Sequence, residues 1–241
     1  MFTGLIREIG TLRRVTGGRD LSRLVIGAPR TAATVDPGDS LAVNGICLTV
    51  TATGGGAITV EAAAETRRIT TLRRWRSGRR LHLEPALRAG QALDGHLVLG
   101  HVDGVGRIAA VRRQGDSLFL TVHCGEDLAG WLMPKGSVAV DGVSLTVDAG
   151  PHRDRFTCNL IPHTLQWTDF ARARQGREVN LEMDVLVKAA RTGDSGAALA
   201  GLAGSGDRPA AASTTHSGEG SVRSLASILD RGFGRKTRRN R

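Results

Sequence analysis

Val43-Asn-Gly-Ile-Cys-Leu-Thr-Val50 returns 97 residues later as Val140-Asp-Gly-Val-Ser-Leu-Thr-Val147. Three more blocks repeat in the same order. Gly4-Leu-Ile-Arg-Glu-Ile-Gly10 returns as Gly100-His-Val-Asp-Gly-Val-Gly106, and Glu65-Thr-Arg-Arg-Ile-Thr-Thr-Leu72 as His163-Thr-Leu-Gln-Trp-Thr-Asp-Phe170. Gly78-Arg-Arg-Leu-His-Leu-Glu84 returns as Gly176-Arg-Glu-Val-Asn-Leu-Glu182. A period this long means two tandem domains, because a solenoid repeats every ~20–50 residues. Residues 1–96 and 97–187 form the two copies, and 188–241 a short helix with a tail. Each copy is long enough to bury its own core.

Around the repeated octapeptide, short runs of Val, Ile, Leu and Thr recur between Gly, Asp and Pro turns, the pattern of an all-β sandwich or barrel. The first copy offers Gly4–Val15, Leu21–Gly27, Ser40–Val43, Ile46–Thr53, Ala57–Ala62 and Arg80–Leu83. The second offers Gly100–Arg112, Ser117–Val122, Ser137–Val140, Val143–Ala149, Arg155–Asn159 and Glu178–Glu182. Six strands per copy favour closure, which removes exposed edges. A helix is expected over Glu126–Met133, stopped by Pro134, with a weaker counterpart near Arg30–Val35.

Composition narrows the function classes. Only 3% of residues are aromatic, so the cores rest on branched aliphatics. No apolar run reaches the ~18 residues of a membrane span, and no signal-peptide pattern opens the chain. Three cysteines without metal-ligand spacing point to reduced thiols and a cytoplasmic location. The net charge is +10, of which +4 lies after Arg191 and five cations lie in the last seven residues. Such a basic tail is compatible with nucleic acid, but a solvated tail needs fewer assumptions. Residues 192–221 read as a linker, and Val222–Leu229 as two further helical turns.

Alternation along the repeated strand puts Ile46, Leu48 and Val50 on one face, and Gly45, Cys47 and Thr49 on the other. The second copy places Val143, Leu145 and Val147 opposite Gly142, Ser144 and Thr146. Ordinary amphipathic packing explains one such strand. The same small polar face twice points to a flat ligand held by hydroxyls beside glycine. The copies also differ: His101 stands for Leu5, Ser144 for Cys47, Lys135 for Gly38, His163 for Glu65 and Asp184 for Ala86. Groups suited to proton transfer and charge stabilisation thus gather in the second copy. His96 and His101, five apart, would face opposite ways on a strand and would not share a metal.

Together these blocks resemble riboflavin synthase of the α type. The motifs are the opening Met1-Phe-Thr-Gly-Leu-Ile6, Asn44–Thr49, Glu65-Thr66, Gly95–His101, Lys135-Gly136, Asp141–Thr146 and Ile161-Pro162. The resemblance implies two six-stranded Greek-key barrels and a C-terminal helix that assembles a homotrimer. It implies transfer of a four-carbon unit between two molecules of 6,7-dimethyl-8-ribityllumazine. The products are riboflavin and 5-amino-6-ribitylamino-pyrimidinedione, formed with no metal or cofactor. An association with lumazine synthase would also fit.

By the same resemblance, substrate contacts fall on Gly4, Leu5 and Ile6; on Cys47, Leu48 and Thr49; and on Glu61, Ala62, Ala63, Ala64, Glu65 and Thr66. In the second copy they fall on Gly100, His101 and Val102; on Lys135; on Ser144, Leu145 and Thr146; and on Asn159, Leu160, Ile161, Pro162, His163 and Thr164. The catalytic set would be His101, Ser144, Cys47, Thr146, Lys135 and Phe2. His101 and Ser144 would assist deprotonation of the C7 methyl of one lumazine. Cys47 and Thr49 would hold the acceptor, and Lys135 would offset negative charge. The trimer helix is short here, since Asp184-Val-Leu-Val-Lys-Ala-Ala-Arg191 breaks at Thr192-Gly193. A non-catalytic lumazine- or flavin-binding protein of the same fold is the rival expectation.

Overall fold

The computed structural model describes residues 1–18 and 20–192. The expected linker past Thr192, the Val222–Leu229 helix and the basic tail lie outside the described residues. The first barrel comprises β1 (Glu8–Gly17), β2 (Leu21–Gly27), β3 (Ser40–Val43), β4 (Ile46–Gly54), β5 (Ala57–Ala63) and β6 (Arg80–Pro85). The second comprises β7 (Gly104–Gln114), β8 (Ser117–His123), β9 (Ser137–Val140), β10 (Val143–His152), β11 (Arg155–Leu160) and β12 (Glu178–Met183). Both close in one cyclic order, β1-β2-β5-β4-β3-β6 and β7-β8-β11-β10-β9-β12, and every neighbour pair is antiparallel. β2 neighbours β5, and β3 lies beyond β5 and β4, the Greek-key order.

The duplication extends to irregularities. β1 shifts register at Leu12/Arg14 and β7 at Ile108/Ala110; β4 shifts at Val50/Ala52 and β10 at Val147/Ala149. Small barrels need such bulges to bend a strand around a tight core. Leu12, Leu24, Ile26, Leu41 and Leu81 fill the first core without exposure, and Ile108, Leu120, Val140, Phe156 and Leu181 fill the second. Volume is traded within the repeat: Leu72 and Trp75 of the first core stand where Phe170 and Ala173 stand in the second.

The expected strand starts at Gly4 and Gly100 move to Glu8 and Gly104. Gly4 and Gly100 have φ of +77° and +78°, a left-handed geometry that breaks a ladder. Each leading segment then crosses to the other barrel. Ile6 packs into the second core, and Val102 packs against the first. Phe2 and Val98 form an isolated antiparallel bridge where the two segments pass. The hairpins Asn44-Gly45 and Asp141-Gly142, with all four φ positive, meet back to back. A Cβ on Gly45 would lie 2.7 Å from the Gly142 nitrogen, so no side chain fits there.

Helices are short: α1 (Pro29–Ala32), α2 (Ala64–Ile69), α3 (Glu126–Ala129), α4 (Pro162–Trp167) and α5 (Val185–Thr192). The expected Glu126–Met133 helix stops at Ala129, before Gly130, and its expected counterpart at Arg30–Val35 is only α1. α2 and α4 carry no apolar period and were not visible as helices. Each is closed by a threonine hydroxyl donating back four residues, Thr70 to the Thr66 carbonyl at 2.6 Å and Thr168 to that of Thr164 at 2.7 Å. Among the described residues, no helix is long and apolar enough to cross a membrane.

Candidate active site

Two buried carboxylates hold the exchanged segments. Glu84 on β6 accepts from the Thr3 amide at 2.7 Å, the Thr3 hydroxyl at 2.6 Å and the Gly4 amide at 2.9 Å. Its counterpart Glu182 on β12 accepts from the Leu99 and Gly100 amides at 2.7 and 2.9 Å. Burial raises both carboxyls above their usual range, Glu182 to about 7, against the opposing pull of the amide donors. Each segment lands on the strand of the other copy. Ser144 N donates to the Gly4 carbonyl at 2.8 Å, and Cys47 N donates to the Gly100 carbonyl at 2.9 Å. A Cβ on Gly4 would sit 2.6 Å from Ser144 Cβ, and one on Gly100 2.6 Å from Cys47 Cβ.

The titratable groups are therefore not stacked on one site. His101 lies on the segment that covers Cys47, whereas Leu5 lies on the one that covers Ser144. Within one chain His101 and Ser144 belong to different cradles. Ser144 instead meets His96, whose Nδ1 is 2.7 Å from the serine Oγ. Burial pulls the His96 imidazole below its ordinary value, which favours the neutral ring, against the opposing charge of Asp184. If the Ser144 hydroxyl donates to Nδ1, the ring proton sits on Nε2, a buried atom without a hydrogen-bond partner. A neutral imidazole on a hydroxyl is the usual arrangement for drawing a proton through that oxygen.

Around Ser144 a cavity of about 280 Å³ opens between the Gly4–Arg7 segment and α4. Its walls include Leu5, Ile6, His163, Thr164 and Trp167, with Arg7 and Arg30 at one side. Arg30 lies 5.4 Å from the Trp167 ring centroid, and His163 packs on the same ring at 6.4 Å. An apolar shelf edged by hydroxyl, imidazole and guanidinium suits a flat, polar-rimmed heterocycle.

The other expected contacts divide by direction. Leu48, Ala62, Leu145 and Leu160 are buried in the cores, so only their main chain can meet a ligand. Cys47 is half-buried, and Thr49 and Thr146 are exposed on the polar face. Glu61 pairs with Arg23 at 2.8 Å and Glu65 with Arg68 at 2.6 Å. Ala63, Asn159, Ile161 and Pro162 are exposed, and Ala64 and Thr66 are half-buried on α2. Phe2 has no exposed surface and packs with Ala42, Val98 and Ala139, so in the single chain it braces the Thr3–Gly4 turn. Lys135, with φ of +62°, pairs with Asp148 at 2.8 Å on the surface, away from the Ser144 cavity.

Sequence reasoning missed Arg7, Arg30, Trp167 and the role of His96. His163 and Trp167 four apart were a helical signal, hidden because α4 was not visible. His96 falls within the Gly95–His101 motif, but strand alternation gives it no role at Ser144, and the 95–103 segment is no strand.

Known proteins carry the same architecture and much of the same sequence. The lumazine binding domain matches twice, over residues 3–86 and 99–184. Riboflavin synthase of Brucella abortus (strain 2308) is 40% identical over 193 residues, covering 78% of this chain and 95% of that protein. The chain belongs to the riboflavin synthase family. The family's Bacillus subtilis (strain 168) member is 38% identical over 188 residues, covering 78% of this chain and 87% of that one. The fold also matches the crystal structure of LumP complexed with riboflavin, at a TM-score of 0.71 and 23% identity, over 76% of this chain and 99% of that one. LumP complexed with 6,7-dimethyl-8-(1'-D-ribityl) lumazine matches at a TM-score of 0.69 and 22% identity, over the same shares.

Proposed function

We propose that the chain is a transferase that dismutates 6,7-dimethyl-8-ribityllumazine. One molecule gives up four carbons and leaves as 5-amino-6-ribitylamino-pyrimidinedione; the other gains them and becomes riboflavin. Donor and acceptor are the same compound, so the reaction needs no outside oxidant. Beyond family membership, the observation that carries this reading is the half-buried Ser144, which lines the cavity at the Gly4 turn with the buried His96 imidazole on its hydroxyl.

The Ser144 cradle takes the donor. Its hydroxyl, backed by His96, draws a proton from the C7 methyl, and the resulting negative charge spreads into the ring. The Cys47 cradle, covered by Gly100–Val102, takes the acceptor, with Thr49 presenting a hydroxyl and His101 supplying a proton, while Thr146 presents its hydroxyl beside Ser144. The functional halves, 1–96 and 97–187, each depend on the leading segment of the other. The two cradles open at separate places in one chain, so the working site joins the Cys47 cradle of one subunit to the Ser144 cradle of another. A homotrimer closes such contacts in a ring. α5, amphipathic and following β12 directly, would contribute to it.

Incubating the protein with the lumazine alone tests this: riboflavin fluorescence should rise with one pyrimidine released per riboflavin. A spectral shift on binding without turnover would instead assign a lumazine- or flavin-binding role.

A further inference from the structure

A second cleft, of about 600 Å³, lies between the two copies of one turn, at the 3-10 turns Thr71–Arg74 and Asp169–Arg172 and the strand starts that follow them. Six arginines line it: Arg74, Arg79, Arg80, Arg172, Arg174 and Arg177. Arg74 and Arg172, and Arg79 and Arg177, are equivalent positions of the repeat, so duplication itself concentrates the charge here.

The two carboxylates in the cleft do not neutralise it. Asp169 is held by His82 at 2.9 Å and Arg177 at 2.9 Å. Glu178 is shared by Arg73, Arg74 and Arg107. Among the ion pairs and side-chain hydrogen bonds of the described residues, none involves Arg79, Arg80, Arg172 or Arg174. Arg79 lies over the Trp75 ring at 5.6 Å, and its Nε is buried without a hydrogen-bond partner. Burial and the nearby Arg177 charge work against its guanidinium, and the attraction of Asp141 offsets this in part. A buried donor left unpartnered carries a desolvation cost that a ligand oxygen would relieve.

We infer that this cleft binds a small multivalent phosphate, a di- or triphosphate group or two phosphate esters on one molecule. Arg80, Arg172 and Arg174, with Arg79 at their back, exceed the charge of a single phosphate, and their forked donors match phosphate oxygens. The concave shape suits a small molecule. A nucleic-acid reader needs a protruding element for a groove or stacking aromatics along a groove, and neither lines this cleft.

Calorimetric titration of the full chain with sodium tripolyphosphate tests the inference. Binding should weaken at least tenfold in Arg172→Gln/Arg174→Gln, two surface changes that leave the cores intact. Arg79→Lys, which keeps the charge but removes the buried donor, should weaken it several-fold, and all variants should keep the wild-type circular dichroism. Binding unchanged in the double variant would place the anion elsewhere, such as the basic C-terminus, and overturn the inference. No binding by the wild type, or displacement of tripolyphosphate by a single-stranded oligonucleotide at far lower concentration, would also overturn it.

Discussion

The segment Gly4-Leu5-Ile6 over Ser144 and the segment Gly100-His101-Val102 over Cys47 are the same device built twice. Each has a left-handed glycine, a carbonyl that accepts the strand amide, a hydrophobe packed on the opposite core, and a glutamate that grips the turn. What differs is the chemistry on that common frame. The first segment lays Leu5 beside a serine already backed by His96; the second carries an exposed His101 next to the glycine that covers Cys47, which has no such partner among the described residues. The imidazoles reach the cradles by different routes: His96 and His163 stand at Ser144, and His101 on the segment over Cys47. Because the segments are exchanged, residues of one copy arm the strand of the other. On the proposed mechanism, two identical substrates meeting unlike cradles would acquire unlike roles.

The largest effect should come from abolishing the shared frame. Gly4→Ala puts a Cβ 2.6 Å from Ser144 Cβ at a positive φ, and Gly100→Ala does the same against Cys47. Either should lower riboflavin formation at least a hundredfold, with the chain still folded by circular dichroism. Equal losses would show that both cradles are needed; a loss in only one would break the symmetry of the account.

Next come the proton-handling groups. Ser144→Ala and His96→Ala should each slow single-turnover riboflavin formation on the order of 10²-fold, the usual range for general-base assistance. The double variant should be little worse than either, because the pair acts as one unit. Additive losses would separate the two residues.

The glutamates offer a smaller test. The Glu182 carboxyl is raised to about 7 by burial, from the 4.5 of an unperturbed glutamate. A raised folded value means the native state holds the proton more tightly. This contribution is fully present below about pH 4.5 and is lost as pH rises through about 7. Glu182→Gln should therefore flatten the fall in stability across that window, an effect on the order of 3 kcal/mol. Urea titrations of both proteins at several pH values would show it, and parallel curves would count against it.

The smallest effect belongs to Lys135. Its exposed pair with Asp148 should contribute less than about 1 kcal/mol, and Lys135→Ala should change turnover less than tenfold. A large loss of turnover would place Lys135 in a site completed by another subunit.

The duplication, the strand count and the inward faces of Leu48 and Leu145 were all legible in the sequence, because a period of two and a long repeat survive without knowledge of tertiary contacts. The exchange of leading segments was not. Gly4-Leu-Ile-Arg reads as the start of a strand, and only the left-handed glycine, which a sequence does not display, turns it toward the other barrel. For the same reason the sequence does not show that His101 and Ser144 lie in different cradles of one chain. His96 was hidden because its partner lies 48 residues away in sequence and its segment belongs to no ladder.

The most direct test of unlike cradles joined between chains is complementation. His101→Ala and Ser144→Ala should each be nearly inactive alone. Co-expressed, they should recover turnover, because some contacts would then join an intact Cys47 cradle of one chain to an intact Ser144 cradle of the other. Mixed assemblies no more active than either variant would contradict a site shared between subunits.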